Sequence, residues 1–245
     1  MTMTSRIAEA LITRNGITVS KKNYPTDAGA GTYLLTVLGT PNSDTPAAAR
    51  ELHNLTAGDA GGVAAAKSLG DLSHNVFLPA DSGDKRLLFI DTWNSPTGLG
   101  QFFSDEQVQK GGAALFADRE AMLWMPAAGF GSYTLPVPSG RTVGAIGIMR
   151  APVSSFEAAE GAFHADSAGK ANASRQLGQI AHTLWVPVPM DNTPATEVLG
   201  VDYWLDKGQM NDWYASATYD DLGPVFTGAP ATSTWTPAGA DWVEW

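Results

Sequence analysis

Apolar residues in this chain fall into short, dense runs separated by clusters of Gly, Pro, Asp and Ser, a pattern of strands and turns. The clearest run is Leu87-Leu-Phe-Ile-Asp-Thr-Trp93, with Leu87, Phe89 and Trp93 on one face and Leu88 and Ile90 on the other. A strand apolar at both parities needs cover on both faces. Ahead of it, Tyr33 to Gly39 is of β type. Pro41 to Thr45 is a turn, with Asp44 as candidate N-cap before Pro46. Alanine-rich helical sequence then runs toward Leu69, interrupted near Gly58 and Gly61-Gly62. His74 to Leu78 and Leu87 to Trp93 flank a Pro/Asp/Ser/Gly cluster and read as a hairpin. A helix over about Thr97 to Phe116 and a strand within Glu120 to Met125 complete the order β-α-β-β-α-β.

The order returns after the linker at Pro136 to Gly140. Strands are expected over Thr142 to Met149, Ala181 to Val188, Glu197 to Leu205 and Ala231 to Thr236, with helical sequence from Ser154 to about Gly178 and from Gly208 toward Val225. Anchors match across the halves. Asp91 and Asp202 lie 111 positions apart (202 − 91), as do His53 and His164 (164 − 53). Leu69-Gly-Asp-Leu-Ser-His74 corresponds to Leu177-Gly-Gln-Ile-Ala-His182, and Trp124-Met-Pro-Ala127 to Trp235-Thr-Pro-Ala238. So many matched anchors indicate an internal duplication. The expected organisation is an N-terminal extension over residues 1–30, a first ferredoxin-like repeat over 31–136 and a second over 142–245. The fold class is α+β, with the two βαββαβ repeats packed sheet to sheet as a pseudo-twofold α+β barrel.

At 245 residues and a formal net charge of −10, nucleic acid and anionic membrane surfaces are unsuited as partners. There is no cysteine, and no sustained apolar run at the N-terminus to act as a signal peptide, which fits a cytoplasmic protein.

Candidate chemistry centres on the four histidines. If Val76 pairs with Phe89, His74 stands opposite Asp91. If Leu184 pairs with Gly200, His182 stands opposite Asp202. A carboxylate on an apolar strand face is costly unless paired, so an imidazole opposite it is physically sensible. Such a pair serves either to pin hairpin register or, with Asp orienting the ring, as a general base. His53 and His164 fall on a helix flank, either solvated or at a pocket edge. Trp93, Trp204, Tyr203 and Trp213 are candidate walls for a flat organic ligand. The aromatics as a group, Trp124, Trp185 and Trp235 included, are expected in the layer between sheet and helices. The second half is richer in Trp and Tyr, which favours its pocket if one alone is functional. The run Gly98-Leu-Gly-Gln-Phe-Phe103 lacks the third glycine of a dinucleotide fingerprint, and no zinc signature is present.

The pattern Phe89-Ile-Asp-Thr-Trp93, followed by Gly98-Leu-Gly-Gln-Phe-Phe-Ser-Asp105 and a late Trp124, resembles the dimeric α+β barrel superfamily, in particular the antibiotic-biosynthesis-monooxygenase-like proteins. The resemblance spans about residues 33–136 and again 142–245. It implies a cofactor-independent oxygenase acting by proton abstraction on a small aromatic or polyketide-like substrate. His74, Asp91, His182 and Asp202 would be catalytic; Trp93, Trp204, Tyr203, Trp213, His53 and His164 would bind substrate. Two alternatives stand beside it, the first implied by the same resemblance and the second by the structural reading of the His–Asp pairs. One is a haem enzyme of the chlorite-dismutase-like or haem-degrading type, with His53 or His164 as axial ligand; the other is a non-catalytic small-molecule binder. No metal is expected, and the chain is expected as a monomer or homodimer.

Overall fold

A computed structural model describes residues 31–81, 83–189 and 196–245; the expected extension over residues 1–30 lies outside them. The first half comprises β1 (Tyr33–Pro41), α1 (Pro46–Thr56), α2 (Ala60–Ser68), β2 (Asp71–Pro79), β3 (Leu87–Trp93), α3 (Pro96–Phe103), α4 (Glu106–Leu115) and β4 (Phe116–Pro126). The short β5 (Tyr133–Thr134) precedes the second half: β6 (Ala145–Pro152), α5 (Phe156–Gln176), β7 (Gln179–Pro187), β8 (Glu197–Trp204), α6 (Lys207–Ser216), a 3-10 turn (Asp220–Val225) and β9 (Ala231–Pro237).

Local chemistry sets the breaks. Thr45, rather than Asp44, caps α1, its hydroxyl accepting the Ala48 N–H. Asp59 caps α2 through the Gly61 and Gly62 N–H groups, so the glycines there start a second helix. Asp105 does the same for α4, dividing the single expected helix over Thr97 to Phe116 into two.

All pairings are antiparallel. The strands run β4-β1-β3-β2 in the first half and β9-β6-β8-β7 in the second. Two seams join these sheets edge to edge. At one, Phe77, Leu78 and Pro79 pair with Pro237, Thr236 and Trp235; at the other, Trp124, Met125 and Pro126 pair with Pro187, Val186 and Trp185. The result is a closed eight-stranded barrel with six α-helices outside it among the described residues. Closure removes the exposed edges that an open sheet would present.

Parity then sorts the core. Leu88 and Ile90 point into the barrel with Leu34, Ile146, Val201 and Trp235, whereas Leu87, Phe89 and Trp93 point outward to the helices with Leu35, Leu99 and Leu115. Trp124 and Trp235 are fully buried inside the barrel, not in the sheet–helix layer; Trp185 packs beside them. Each indole N–H is satisfied by a nearby hydroxyl: Thr36 for Trp124, Thr183 for Trp185 and Ser233 for Trp235. The interior is thus a packed core, and open space for a ligand lies outside it, under the helices.

Candidate active site

The hairpin registers place the two His–Asp pairs as the strand pattern requires. His74 is opposite Asp91 across β2 and β3, and His182 is opposite Asp202 across β7 and β8. His74 Nδ1 lies 2.7 Å from Asp91 Oδ1, and His182 Nδ1 2.6 Å from Asp202 Oδ1. All four side chains share the parity of Phe89 and face the helix layer.

In the first half this pair belongs to a longer chain. His53, on α1, is 0 % exposed, and its Nε2 lies 3.0 Å from His74 Nε2. The solvated helix-flank reading therefore fails for His53, because the C-terminal segment folds over α1. Trp242 packs on the His53 ring at 5.1 Å, and Trp245 stacks on His74 at 4.7 Å. The same segment exchanges backbone hydrogen bonds between Trp245 and His74, and Glu244 accepts the Val76 N–H.

Hydrogen-bond accounting assigns the protons along this chain. Asn54 Nδ2 donates to the Asp241 carbonyl at 2.8 Å, and Asn54 Oδ1 accepts the Val243 N–H at 3.0 Å, which fixes the amide orientation. Oδ1 also lies 2.9 Å from His53 Nδ1, so that nitrogen carries the proton and His53 Nε2 is a bare acceptor. His74 must then donate from Nε2 to His53 and from Nδ1 to Asp91, which makes it an imidazolium. The electrostatics agree. Burial, reinforced by the His74 charge and opposed by the Asn54 bond, lowers His53 to about 4. Burial also pulls His74 down, but the Asp91 charge and hydrogen bond, helped by Asp71 and Glu244, hold it above its ordinary value.

Asp71, at the start of β2, is the residue that sequence reasoning missed. It is 5 % exposed, faces the same layer as His74, and accepts the Ser73 N–H. Burial and the Asp91 charge push its carboxyl up to about 7, against the lowering effect of His74. A signal existed: within the matched segments Leu69–His74 and Leu177–His182, Asp71 stands where the second half has Gln179.

Asp71, His74 and Asp91 border a cavity of about 1490 Å³ between the sheet and the helices of the first half. Leu35, Phe89, Phe102, Phe103 and Phe116 supply apolar wall, and Trp245 closes one end. The rim is polar and charged, with Asp59, Glu106, Lys110 and Arg119 among its residues, while buried polar groups set in an apolar wall are the usual form of a small-molecule site.

The second half differs. Tyr214 donates to Asp202 Oδ2 at 2.7 Å, so that Asp202 is held by both His182 and Tyr214. Tyr214 fits because β6 carries Gly147, whose missing Cβ would lie 2.1 Å from the Tyr214 hydroxyl. Gly147 pairs with Asp202 as Leu35 pairs with Asp91, so the Tyr214 hydroxyl occupies space that the Leu35 side chain takes in the first half. The Asp202 hydrogen bond and charge hold His182 above its ordinary value despite its burial. His164 is exposed, as the solvated reading expects. The aromatic richness of the second half goes into packing, with Trp213 and Tyr214 against Trp204.

The other expected binding residues lie elsewhere. Trp93 is fully buried against Phe102 and Phe103, and these two phenylalanines, not Trp93, reach the cavity. Trp204 is fully buried against Trp213 and Tyr214. Trp213 donates to the Tyr219 hydroxyl. Tyr203, one position from Asp202 and so of opposite parity, points into the barrel interior.

Comparison with solved structures bears on this arrangement. An anthrone oxidase-like protein superposes with a TM-score of 0.59 and 17% identity, over 89% of this chain and 97% of its own. A "putative monooxygenase" from Lactobacillus acidophilus gives 0.57 and 7% identity over 85% and 95%, and one from Fusobacterium nucleatum 0.57 and 11% over 86% and 94%. The fold is that of the dimeric α+β barrels. No family model and no curated protein matches the sequence.

The haem alternative can be tested on the histidines themselves. His53 has Nδ1 bonded to Asn54 and Nε2 bonded to His74, which leaves no ring nitrogen for iron. His164 is exposed on α5, away from the residues that line the cavity. Neither His53 nor His164 fits an axial haem ligand. Among the described residues no cluster of three or more His, Asp or Glu could hold a metal ion, and no helix is long and apolar enough to cross a membrane.

Proposed function

We propose that this protein is a cofactor-independent oxygenase working in the cavity of its first half. The supporting observation is the floor of that cavity, where Asp71, His74 and Asp91 converge beneath an apolar, phenylalanine-rich wall. The wall suits a flat polycyclic body, and the floor suits removal of a proton from an acidic C–H beside a carbonyl or phenol. His74, an imidazolium between His53 and Asp91, places positive charge where the resulting enolate or phenolate would lie. The electron-rich anion then reacts with dioxygen: a CH2 group and O2 give a carbonyl and water, with no external reductant. The superposition on an anthrone oxidase-like protein supports an anthrone-type substrate class.

The two halves read as tandem ferredoxin-like repeats, supported by their matching strand orders and by the paired His–Asp positions. On that reading each chain supplies both halves of a barrel. One half keeps an open site, and the other has become a structural counterpart.

Oxygen uptake with anthrone and hydroxylated anthrones, coupled to detection of the quinone, tests the function. Quinone formation above the buffer rate, lost in His74→Gln, is expected. A protein that binds these compounds without consuming oxygen would instead be a small-molecule binder.

A further inference from the structure

Granting that oxygenase reading, the geometry points to Asp71, not His74, as the group that takes the substrate proton. A base must present a free lone pair to the cavity. His74 cannot, because both ring nitrogens are committed as donors, to His53 at 3.0 Å and to Asp91 at 2.7 Å. Asp91 already receives the His74 proton donor. His53 lies behind His74, fully buried beneath Trp242, and its bare Nε2 already accepts from His74. Two buried carboxylates border the cavity: Asp91 is the direct hydrogen-bonded counter-ion of the His74 cation, whereas Asp71 keeps acceptor capacity beyond the Ser73 N–H that one of its oxygens takes.

Position supports the same role. Asp71 begins β2 on the face that carries His74, and Trp93 opposite it is buried with Phe102 and Phe103, at the aromatic wall. A substrate lying against Phe102 and Phe103 therefore meets Asp71 and the His74 cation together. The second half retains the His–Asp pair but carries Gln179 in place of Asp71. Gln179 is engaged by the Tyr133 hydroxyl and cannot act as a base. The half with the acid borders the cavity, and in the half without it Tyr214 donates to the paired aspartate.

The groups around Asp71 set its working range. His74 on β2, Asp91 on β3 and Glu244 of the C-terminal segment face it or its partner, with His53 behind and Lys67 of α2 over the Trp245 ring at 5.6 Å. Across the cavity the helices add Asp59, Asp105, Glu106 and Lys110, and β4 adds Asp118 and Arg119. A carboxyl buried among these, with a pKa of about 7, is part ionised at neutral pH, which suits it to accept and return a proton. In the step itself, the C–H pair stays on the substrate as an enolate and the proton moves to Asp71. Dioxygen bonds to the carbanion carbon and the peroxide takes the Asp71 proton; the second proton on that carbon is then lost, the C–H electron pair forms the carbonyl, and the O–O bond breaks to release hydroxide, which that proton converts to water.

Anaerobic hydrogen–deuterium exchange at the C10 methylene of anthrone in D2O, followed by NMR, isolates proton abstraction from oxidation. The full-length protein is expected to accelerate exchange over buffer, and Asp71→Asn to reduce it by about 100-fold or more, with anthrone binding and the folded-state spectrum retained. Asp71→Glu should restore part of the rate. Exchange in Asp71→Asn at the wild-type rate, with exchange lost in His74→Gln, would assign the base to His74 and overturn this inference while leaving the oxygenase reading intact. A wild-type protein that neither exchanges nor oxidises anthrone or its hydroxylated analogues would overturn both.

Discussion

Asp71→Asn replaces an ionisable carboxyl by an amide of the same shape, and the effect on stability can be worked from the surroundings of that side chain. In the folded protein the Asp71 pKa is about 7, against an ordinary value of 3.8. A carboxyl with a raised folded pKa binds its proton more tightly in the native state. Its contribution is therefore fully present below the unfolded pKa and is lost as pH rises toward 7. A tenfold change in proton affinity corresponds to about 1.4 kcal/mol, so the full excursion would approach about 4 kcal/mol. The carboxyl borders a large cavity open to water, which screens part of this, and about 2–3 kcal/mol is the expected loss. The variant lacks the titration. Its stability relative to wild type should therefore climb by about 2–3 kcal/mol between pH 4 and pH 8, most steeply between pH 5 and 7. Urea unfolding followed by tryptophan fluorescence at each pH measures the difference; subtraction cancels the titration of His53, and the part of the His74 shift that Asp71 supplies changes the difference in the same direction. A difference constant within about 0.5 kcal/mol over that range would refute the claim that Asp71 is buried against Asp91, and with it the electrostatic picture of the site.

Other consequences are equally measurable. His53→Ala removes a fully buried ring with two hydrogen bonds and should cost about 1–3 kcal/mol, whereas His164→Ala, at an exposed position, should stay within about 0.5 kcal/mol; thermal unfolding of both variants shows whether the asymmetry is real. Gly147→Ala drives a methyl group into the Tyr214 hydroxyl and should destabilise by about 1–3 kcal/mol, an effect that Gly147→Ala with Tyr214→Phe should partly relieve. Haem titrated into the purified protein should give no Soret band dependent on His53 or His164; a band lost in either alanine variant would contradict the ring-nitrogen assignments.

The strand pattern carried much of the fold because period 2 and turn chemistry act locally. Leu88 and Ile90 against Leu87, Phe89 and Trp93 announced two covered faces, and the structure puts one set in the barrel and the other under the helices. The same parity argument placed His74 opposite Asp91 and His182 opposite Asp202. What was not legible came from distant sequence. The irregular stretch after β9 gives no periodic signal, yet Trp242 and Trp245 bury His53 and His74. Helical spacing alone left His53 on a solvated flank. Tryptophan alternation likewise did not say which face of a closed sheet is the inner one, so Trp124, Trp185 and Trp235 were expected one layer too far out. Asp71 was visible as a mismatch between matched segments, but its meaning depended on the cavity that only the packed helices define.

The tether on Asn54 has a consequence for how the molecule comes to work at all. The backbone groups that orient Asn54 belong to Asp241 and Val243, 187 and 189 positions further along the chain. Trp242, Glu244 and Trp245 arrive with the same segment, and the rest of the site belongs to the first half, so a nascent chain could complete β1 to β4 and still hold His53 in an undefined tautomer. Only when β9 has zipped onto β2 and the following segment has docked does the proton pattern lock. The site is thus licensed by completion of the whole barrel, and a half-made or misassembled molecule holds the same residues without their charge states.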